Sequence, residues 1–473
     1  MKEGEFMQTV REWILDRMKY KRKYGLDRIR AVMSLLGNPQ DDYPIIHVTG
    51  TNGKGSTIAM LSSLFVHHGQ KVGAFVSPHL IDYTDRFLIN SNGMSEEDFE
   101  IVGELVQQAE ATLIAEYEPL SFFEIMTAMA LVYFSRKKVE VALLEVGIGG
   151  LLDTTNIVHS TMSVITSVGM DHEEMLGNTI EEIAIQKTGI FKQNQAVVLG
   201  NLPIEASKVA EVVGEAYNCD LHQFKREFKI EPHKEGLVFN NSDHQIHIPC
   251  LNLKGKYQLE NAAVALECFL QFEKKFRLPI EQSAIQESFQ TVTWPGRMEV
   301  VHQSPTVILD GAHNVHALKR LIEMVKEYGE DGAHQTILFS ALKRKHYKEM
   351  VDYLRKELPE ARLVLTTFDY AGAIEKTDYP HSEIEFVEDA QQFIEEFKNS
   401  GLSISSCARK NGLPISTVTR WVSKHDKKSK YSKDVKFIEI KTTQAGKTLK
   451  MEIGAVNILV DRYTDLELLA KVI

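Results

Sequence analysis

The chemistry in this chain concentrates at "HVTGTNGKGSTIAML", residues 47–61. An apolar run ends there in Gly50, Thr51, Asn52, Gly53, Lys54, Gly55, Ser56 and Thr57, and a helical stretch begins. Glycines at a strand-to-helix turn permit positive φ and close backbone approach. Backbone N–H groups at the start of the following helix face an anion, and Lys54 adds a point charge suited to β- and γ-phosphates. The spacing is not the usual phosphate-loop one, because Gly55 follows Lys54 where Ser or Thr is expected. A metal-facing hydroxyl must then come from Ser56 or Thr57. The alternative is a flexible Gly/Ser turn with a solvated lysine, against which the flanking strand and helix argue.

Positioning such a loop needs strands that end together. From residue 44 to about 295, short β-rich runs ("PIIHVTG", "KVGAFVS", "VEVALLEVG", "MSVITSVG") alternate with helical stretches such as "EEDFEIVGELVQQAEATLIAEY" and "FFEIMTAMALVYFSRKK". Continuous apolar strands separated by helices imply a parallel sheet covered on both faces. Polar groups at the carboxyl ends of the strands then share one crevice. After "TWPGRMEV" the rhythm restarts with "TVILDGAHN", "QTILFSAL" and "ARLVLTTF", which sets a boundary at 296/297.

The bulk figures narrow the class. At 473 residues the chain exceeds one ordinary hydrophobic core, so several domains are expected. No apolar run is long enough to span a bilayer, and the start, "MKEGEFMQTVREWILDRMKY", is an amphipathic helix pattern with no secretion signal. Cys219, Cys250, Cys268 and Cys407 lack metal or disulfide spacing, which points to a reducing, cytoplasmic compartment. The net charge of −11 is uneven: residues 401–473 carry 14 Lys/Arg against 7 Asp/Glu, leaving 40 against 58 in residues 1–400. A basic tail on an acidic body suggests two pieces with different partners.

"GTNGKGST" resembles the nucleotide loop of the Mur ligase superfamily, and specifically of the folylpolyglutamate synthase/dihydrofolate synthase family. The resemblance continues in order through "SPHL", "SFFE", "LLEVGIGG", "DTTN", "SVGMDH", "GNTIEEIAIQKTGIFK", "NLKGKYQLENAAVAL", "WPGRME" and "DGAHN", over residues 10 to 400. It implies an α/β fold: a Mur-ligase-like P-loop ATPase domain with a parallel sheet (residues 1–296) and a smaller Rossmann-like α/β domain (297–400). It also implies ATP and Mg²⁺ as cofactors, reduced folate and L-glutamate as substrates, and a monomer with no membrane contact. Some members also join dihydropteroate to glutamate. "GTNGKGST" with "WPGRME" and "DGAHN" favours folate over a cell-wall precursor.

The resemblance assigns roles residue by residue. Ser77, Glu145 and His172, with a hydroxyl from Ser56, match Mg²⁺ ligands. Oxygen donors suit Mg²⁺ and histidine is an unusual one. From the pattern alone, Glu145 could cap the glycine turn and His172 could be a partner of Asp171. Lys187 in "IQKTGIFK" reads unaided as a surface lysine, while the corresponding family lysine is carbamylated; with Lys54 and His172 it makes the catalytic set. Asn261, Arg297, Asp310 and His313 match ATP contacts, although Asp310 and His313 also suit an N-cap and a turn. Arg86 and Phe123 match folate-side residues, though Phe122 and Phe123 equally suit a core.

The chain departs from the family at three places. Leu151 stands where arginine is common, Val315 where proline is usual, and Lys345 and His346 in "KRKHY" where acidic residues are common. Beyond residue 400 the family's last strand and helix give way to "GLSISSCARKNGLPISTVTRWVSKH", which reads as helix–turn–helix. Residues 401–473 resemble the accessory proteins of insertion-sequence transposons, with a strand-rich end and basic residues able to meet phosphates. Nucleic acid enters only through this tail. The competing reading is a DNA-binding or transposon-fusion protein with a vestigial ligase body.

Overall fold

The computed structural model describes residues 9–17, 25–79, 82–303, 306–328, 336–368, 372–378, 384–387, 448–453 and 456–461. The chain divides into two compact units, Met1–Asp389 with Asn411–Pro414, and Ala390–Lys410 with Ile415–Ile473.

In the first unit, two helices, α1 (Val10–Arg17) and α2 (Asp27–Leu35), precede an eight-stranded sheet. Its strands are β1 (Ile45–Thr49), β2 (Val72–Phe75), β3 (Phe87–Ile89), β4 (Asn92–Gly93), β5 (Val141–Glu145), β6 (Met162–Ile165), β7 (Ala196–Leu199) and β8 (Asp220–Gln223). The spatial order is β4-β3-β2-β5-β1-β6-β7-β8, with all pairs parallel except β2–β3 and β3–β4. The chain leaves β1 towards β2 and later crosses from β5 to the other side of β1. The strand order therefore reverses beside β1, the place where open α/β sheets hold ligands.

The crossovers are α3 (Lys54–His67), α4 (Glu96–Leu113), α5 (Phe122–Lys137), α6 (Glu173–Leu176), α7 (Ile180–Thr188) and α8 (Ile204–Ala216). Three of them, α4, α5 and α7, start at a side-chain cap from Ser95, Ser121 and Thr179. Ser121 and Glu124 form a reciprocal capping box on α5, and Thr179 Oγ1 accepts from the Glu182 N–H on α7. All five β1 residues are buried and alternate between cores, Ile46 and Val48 facing one cluster and Ile45 the other. Two-sided burial explains why these strands read as unbroken apolar runs.

The chain continues through a three-stranded antiparallel sheet that the residue pattern did not reveal, β9 (Lys229–His233), β10 (Gly236–Asn240) and β11 (Gln245–Ile248). Then come α9 (Lys256–Phe276) and α10 (Gln282–Thr291). Helix α9 packs on α3 through Phe269 and Phe272, whose rings lie 5.2 and 5.0 Å from that of Phe65. The phosphate-loop helix is thus held from behind by aromatic packing.

The smaller part begins with β12 (Glu299–Gln303) and β13 (Thr306–Leu309). These pair antiparallel, with Gln303 opposite Thr306, because so short a connection can only return the chain on itself. Helix α11 (Val315–Tyr328), β14 (Thr336–Phe339), α12 (Tyr347–Glu357), β15 (Arg362–Thr366) and β16 (Glu385–Val387) follow, the last three strands forming a parallel sheet. Val315 opens α11, a position where proline also fits because the N–H has no intrahelical partner.

In the second unit the described residues form one antiparallel hairpin, β17 (Thr448–Ile453) and β18 (Val456–Asp461). The helix–turn–helix reading of residues 401–425, and Cys407, lie outside the described residues.

Replacing Phe65, which is fully buried between α3 and α9, with alanine should cost about 3–5 kcal/mol. The midpoint of chemical denaturation of the full chain reads this directly, and a cost below about 1 kcal/mol would contradict the packing described.

Candidate active site

The carboxyl ends of β1, β2, β5 and β6 open into a cleft of about 210 Å³. Gly50 leaves β1 with φ +156°, and a Cβ there would collide with Thr166 Oγ1. Gly53 has φ +89°, and a Cβ would sit 2.5 Å from Asn261 Oδ1. Both glycines are therefore required, one by close approach and the other by conformation as well. The loop is tied down by the strand end after β6. Thr51 N donates to Ser167 O (2.9 Å), Asn52 N donates to Ser167 Oγ (2.9 Å), and Thr166 Oγ1 donates to Asn52 O (2.7 Å).

Lys54 folds back on its own loop, with Nζ 2.9 Å from Gly50 O and 3.9 Å from Glu145 Oε1. Glu145, at the end of β5, does not cap the glycine turn; its Oε2 accepts from Ser77 N at 2.9 Å. Burial pushes the Glu145 carboxyl up, and Lys54 and the Ser77 N–H pull against it. One acid, one lysine and the end of a neighbouring strand are thus linked at the loop mouth.

Lys187 is not a surface lysine. It is only 3% exposed, on the inner face of α7 with Ile183 one turn before it. Burial brings its ammonium down to about 7, Lys54 pushing the same way and Asp171 and Asp153 opposing. No hydrogen bond or ion pair to Lys187 Nζ occurs among the described residues. A lysine that shares its proton near neutrality is half-available as a neutral nucleophilic amine.

His172 sits at φ +55° and lines the same cleft. Its ring does not pair closely with Asp171, whose Oδ1 is 4.0 Å from Nε2; the backbone N–H of His172 donates to Asp171 instead (2.9 Å). Lys345 Nζ lies 3.2 Å from His172 Nε2. An ammonium only donates, so Nε2 accepts and the ring is neutral with its proton on Nδ1. Burial accordingly holds His172 down to about 4, against the pull of Asp171.

The smaller part contributes Arg297, Asp310 and His313 to the cleft wall. Asp310 turns inward to cap the chain, accepting from Met298 N (3.0 Å) and Ala312 N (2.9 Å), and burial raises its carboxyl. His313 Nδ1 lies 2.9 Å from Gly311 O. The His313 contact agrees with the turn reading, whereas Asp310 caps no helix: α11 begins at Val315, and Asn314 Oδ1 accepts from Ala317 N at its start (2.8 Å).

Four expected site residues are not brought into the cleft lining. Thr57 is fully buried, and its Oγ1 has no hydrogen-bond partner. Asn261 stands behind Gly53 and donates to Gln258 Oε1 (2.8 Å), while Gln258 donates to Ser56 Oγ (3.2 Å). Arg86 is buried, its Nε donating to His79 Nδ1 (3.0 Å) and its guanidinium 5.3 Å from the Phe122 ring centre. Phe123 lies 5.8 Å from Phe75, ring centre to ring centre, and fills the space where a Gly147 side chain would be. Leu151 sits at the turn after Gly150 and is 42% exposed.

Several residues at the cleft escaped the sequence reading. Tyr257 and Arg320 line it, the guanidinium 5.8 Å from the ring centre. Nothing in the local pattern marks Arg320. Asn314 closes the quoted "DGAHN" and donates to both Asp171 Oδ2 (3.1 Å) and Asn52 Oδ1 (3.2 Å).

Among the described residues no three His, Cys, Asp or Glu side chains are grouped to hold an ion by themselves. Glu145 and Asp171 bring carboxylates to the cleft lining beside the Ser77 hydroxyl, and Mg²⁺ uses one or two carboxylates and completes its shell with phosphate oxygens and water.

Comparisons with known proteins agree with this architecture. Residues 48–269 match the Mur ligase middle domain and residues 296–403 the Mur ligase glutamate ligase domain. The dihydrofolate synthase/folylpolyglutamate synthase of Bacillus subtilis is 35% identical over 407 residues, covering 83% of this chain and 94% of the relative. A solved FPGS–AMPPCP–folate complex superposes with TM-score 0.70 at 28% identity, over 81% of this chain and 97% of that one. A bifunctional folylpolyglutamate synthase/dihydrofolate synthase with Mn, AMPPNP and L-glutamate bound gives TM-score 0.71 at 28% identity, over 82% and 91%. No described helix is long and apolar enough to cross a membrane.

The buried Lys187 has a signature in solution. Its folded value of about 7 lies below the ordinary 10.5, so above pH 7 the unfolded chain takes up a proton that the folded chain refuses. Stability of the protein kept free of CO₂ and metal should therefore rise from pH 7 towards 9, by up to about 1.4 kcal/mol per pH unit. Denaturation midpoints at several pH values should show this rise in the native chain and lose it in Lys187→Met.

Proposed function

The chain belongs to the folylpolyglutamate synthase/dihydrofolate synthase family of Mur ligases, and we propose that residues 47–57 and the cleft around them are its ligase site. The protein adds L-glutamate to reduced folate in an ATP-dependent ligation, with dihydrofolate synthesis as a related activity. It uses ATP and a divalent metal. The observation that supports the site is the meeting of Lys54, Ser77, Glu145, His172 and Lys187 with Arg297, Asp310 and His313 around one cleft.

The chemistry follows from the substrate. A carboxylate is a poor electrophile, and phosphorylation by the ATP γ-phosphate turns it into an acyl phosphate with a good leaving group. The amine of glutamate then attacks the carbonyl carbon, the tetrahedral adduct collapses, and inorganic phosphate leaves. Lys54 and the N–H groups opening α3 hold the phosphates, a task worth most in a water-poor cleft. Ser77, Glu145 and His172 would hold Mg²⁺, with a hydroxyl from Ser56, and the ion would supply charge neutralisation on phosphate oxygens. Arg297, Asp310 and His313 come from the smaller part, so its approach would complete the site and exclude water. Thr57 and Asn261 support the loop from behind. Arg86 and Phe123 are proposed on the folate side, where an aromatic ring can stack on the flat pterin.

For Lys187 the reading is carbamylation. The neutral amine adds to CO₂ and gives up a proton, leaving an N-carboxylate anion where a cation stood. The depressed amine supports this, because only the unprotonated form can add.

The domain division proposed is 1–296, 297–400 and 401–473, the last holding the helix–turn–helix. A cytoplasmic monomer is the proposed setting. The −18 balance of residues 1–400 disfavours nucleic acid contact outside the tail.

The purified chain, given ATP, Mg²⁺, a reduced folate and L-glutamate, should lengthen the conjugate by one glutamate per ADP, followed by mass spectrometry. Lys54→Met should lower kcat/KM by at least about 100-fold. ADP release without lengthening, or unchanged activity in Lys54→Met, would contradict the proposal.

A further inference from the structure

Lys345 enters the phosphate-loop side of the cleft from the loop between β14 and α12, more than 170 residues from its partners in sequence. The loop is fixed at its base: Lys343 N donates to Gly372 O (2.8 Å), Lys345 N donates to Leu342 O (2.9 Å), and Lys343 Nζ pairs with Asp378 (2.8 Å). From there the Lys345 ammonium lies 2.5 Å from Asp171 Oδ1 and 3.2 Å from His172 Nε2, with both ion-pair side chains about one-tenth exposed. Around this pair the smaller part makes three further polar contacts with the sheet side. Asn314 donates to Asp171 and Asn52, and His316 Nδ1 lies 2.9 Å from Asn52 Nδ2. Asp171 and Asn52 are thus the two points at which the loops after β1 and β6 grip the smaller part.

The Lys345 ammonium holds the lone pair of His172 and an oxygen of Asp171, which are donors a divalent cation would use. Two cations cannot share them, because like charges in a half-buried site repel strongly. We infer that Lys345 is a positioning residue that acts as a resident cation. It orders Asp171 and His172 and closes the seam while the metal is absent, and metal loading at His172 expels its ammonium and frees loop 340–346. This rests on the metal reading of His172 given above.

The test uses the full chain without nucleotide and Mn²⁺ as probe, titrated by electron paramagnetic resonance. Lys345→Met should bind Mn²⁺ about tenfold more tightly than the native chain, whereas Lys345→Arg, which keeps a cation there, should stay close to native. Hydrogen exchange read by mass spectrometry should show Mn²⁺ accelerating residues 340–346 in the native chain. In Lys345→Met those residues should already exchange fast, with or without Mn²⁺. Unchanged or weaker Mn²⁺ affinity in Lys345→Met, while His172→Ala loses binding, would overturn the inference and leave the metal reading standing. If His172→Ala binds Mn²⁺ as the native chain does, the metal reading fails and the inference falls with it.

Discussion

The structure depends on keeping ionisable groups out of water beside an anion-binding loop. Lys187 and Glu145 are each under 5% exposed, and removing a charge from water without a full partner costs several kcal/mol. A helix N-terminus returns at most about 1 kcal/mol in an exposed setting. Burial accordingly pulls the amine down to about 7 and pushes the carboxyl up, the latter against the pull of Lys54 and the Ser77 N–H. Such a cleft is electrostatically incomplete by itself. Phosphates, a divalent ion and a carbamate would supply charges that the fold has made room for.

The parallel sheet makes that arrangement affordable. The central parallel strands β1, β2, β5 and β6 are buried throughout, so their carboxyl ends form a polar rim on an apolar slab. The reversal beside β1 opens the rim into a crevice. Aromatic packing of α3 on α9 then fixes the loop from the far side, and the smaller part covers the opening through contacts to Asp171 and Asn52.

Much of this was legible in the residues, for identifiable reasons. The glycine–lysine turn is a local signal, and two-sided burial leaves continuous apolar runs that mark β1, β2, β5 and β6. Lys187 shows where local reading fails. A lysine suggests solvent, yet Ile183 four residues earlier puts the same helix face in the core, and that periodicity was the clue available. Lys345 stood out only as a departure from the family, and its meaning lies in Asp171, which is distant in the chain and near only after folding. The antiparallel β12–β13 pair depended on a short connection, and the β9–β11 sheet on alternating exposed residues that resemble loop. The departure at Leu151 leaves an apolar side chain exposed at the turn; nothing in the structure explains the choice. Asn314 and Arg320 act through tertiary contacts that no motif spacing encodes.

The central claim is that the cleft is completed by a nucleotide and a divalent ion held through Lys54. Ligand that binds only the folded chain stabilises it by about 2.7 kcal/mol at a hundred times its Kd. Thermal unfolding with AMPPNP and Mg²⁺ together, against each alone, measures this. The account requires a clear upward shift in Tm with both, which Lys54→Met abolishes. An equal shift in Lys54→Met, or none in the native chain at saturating ligand, would contradict it.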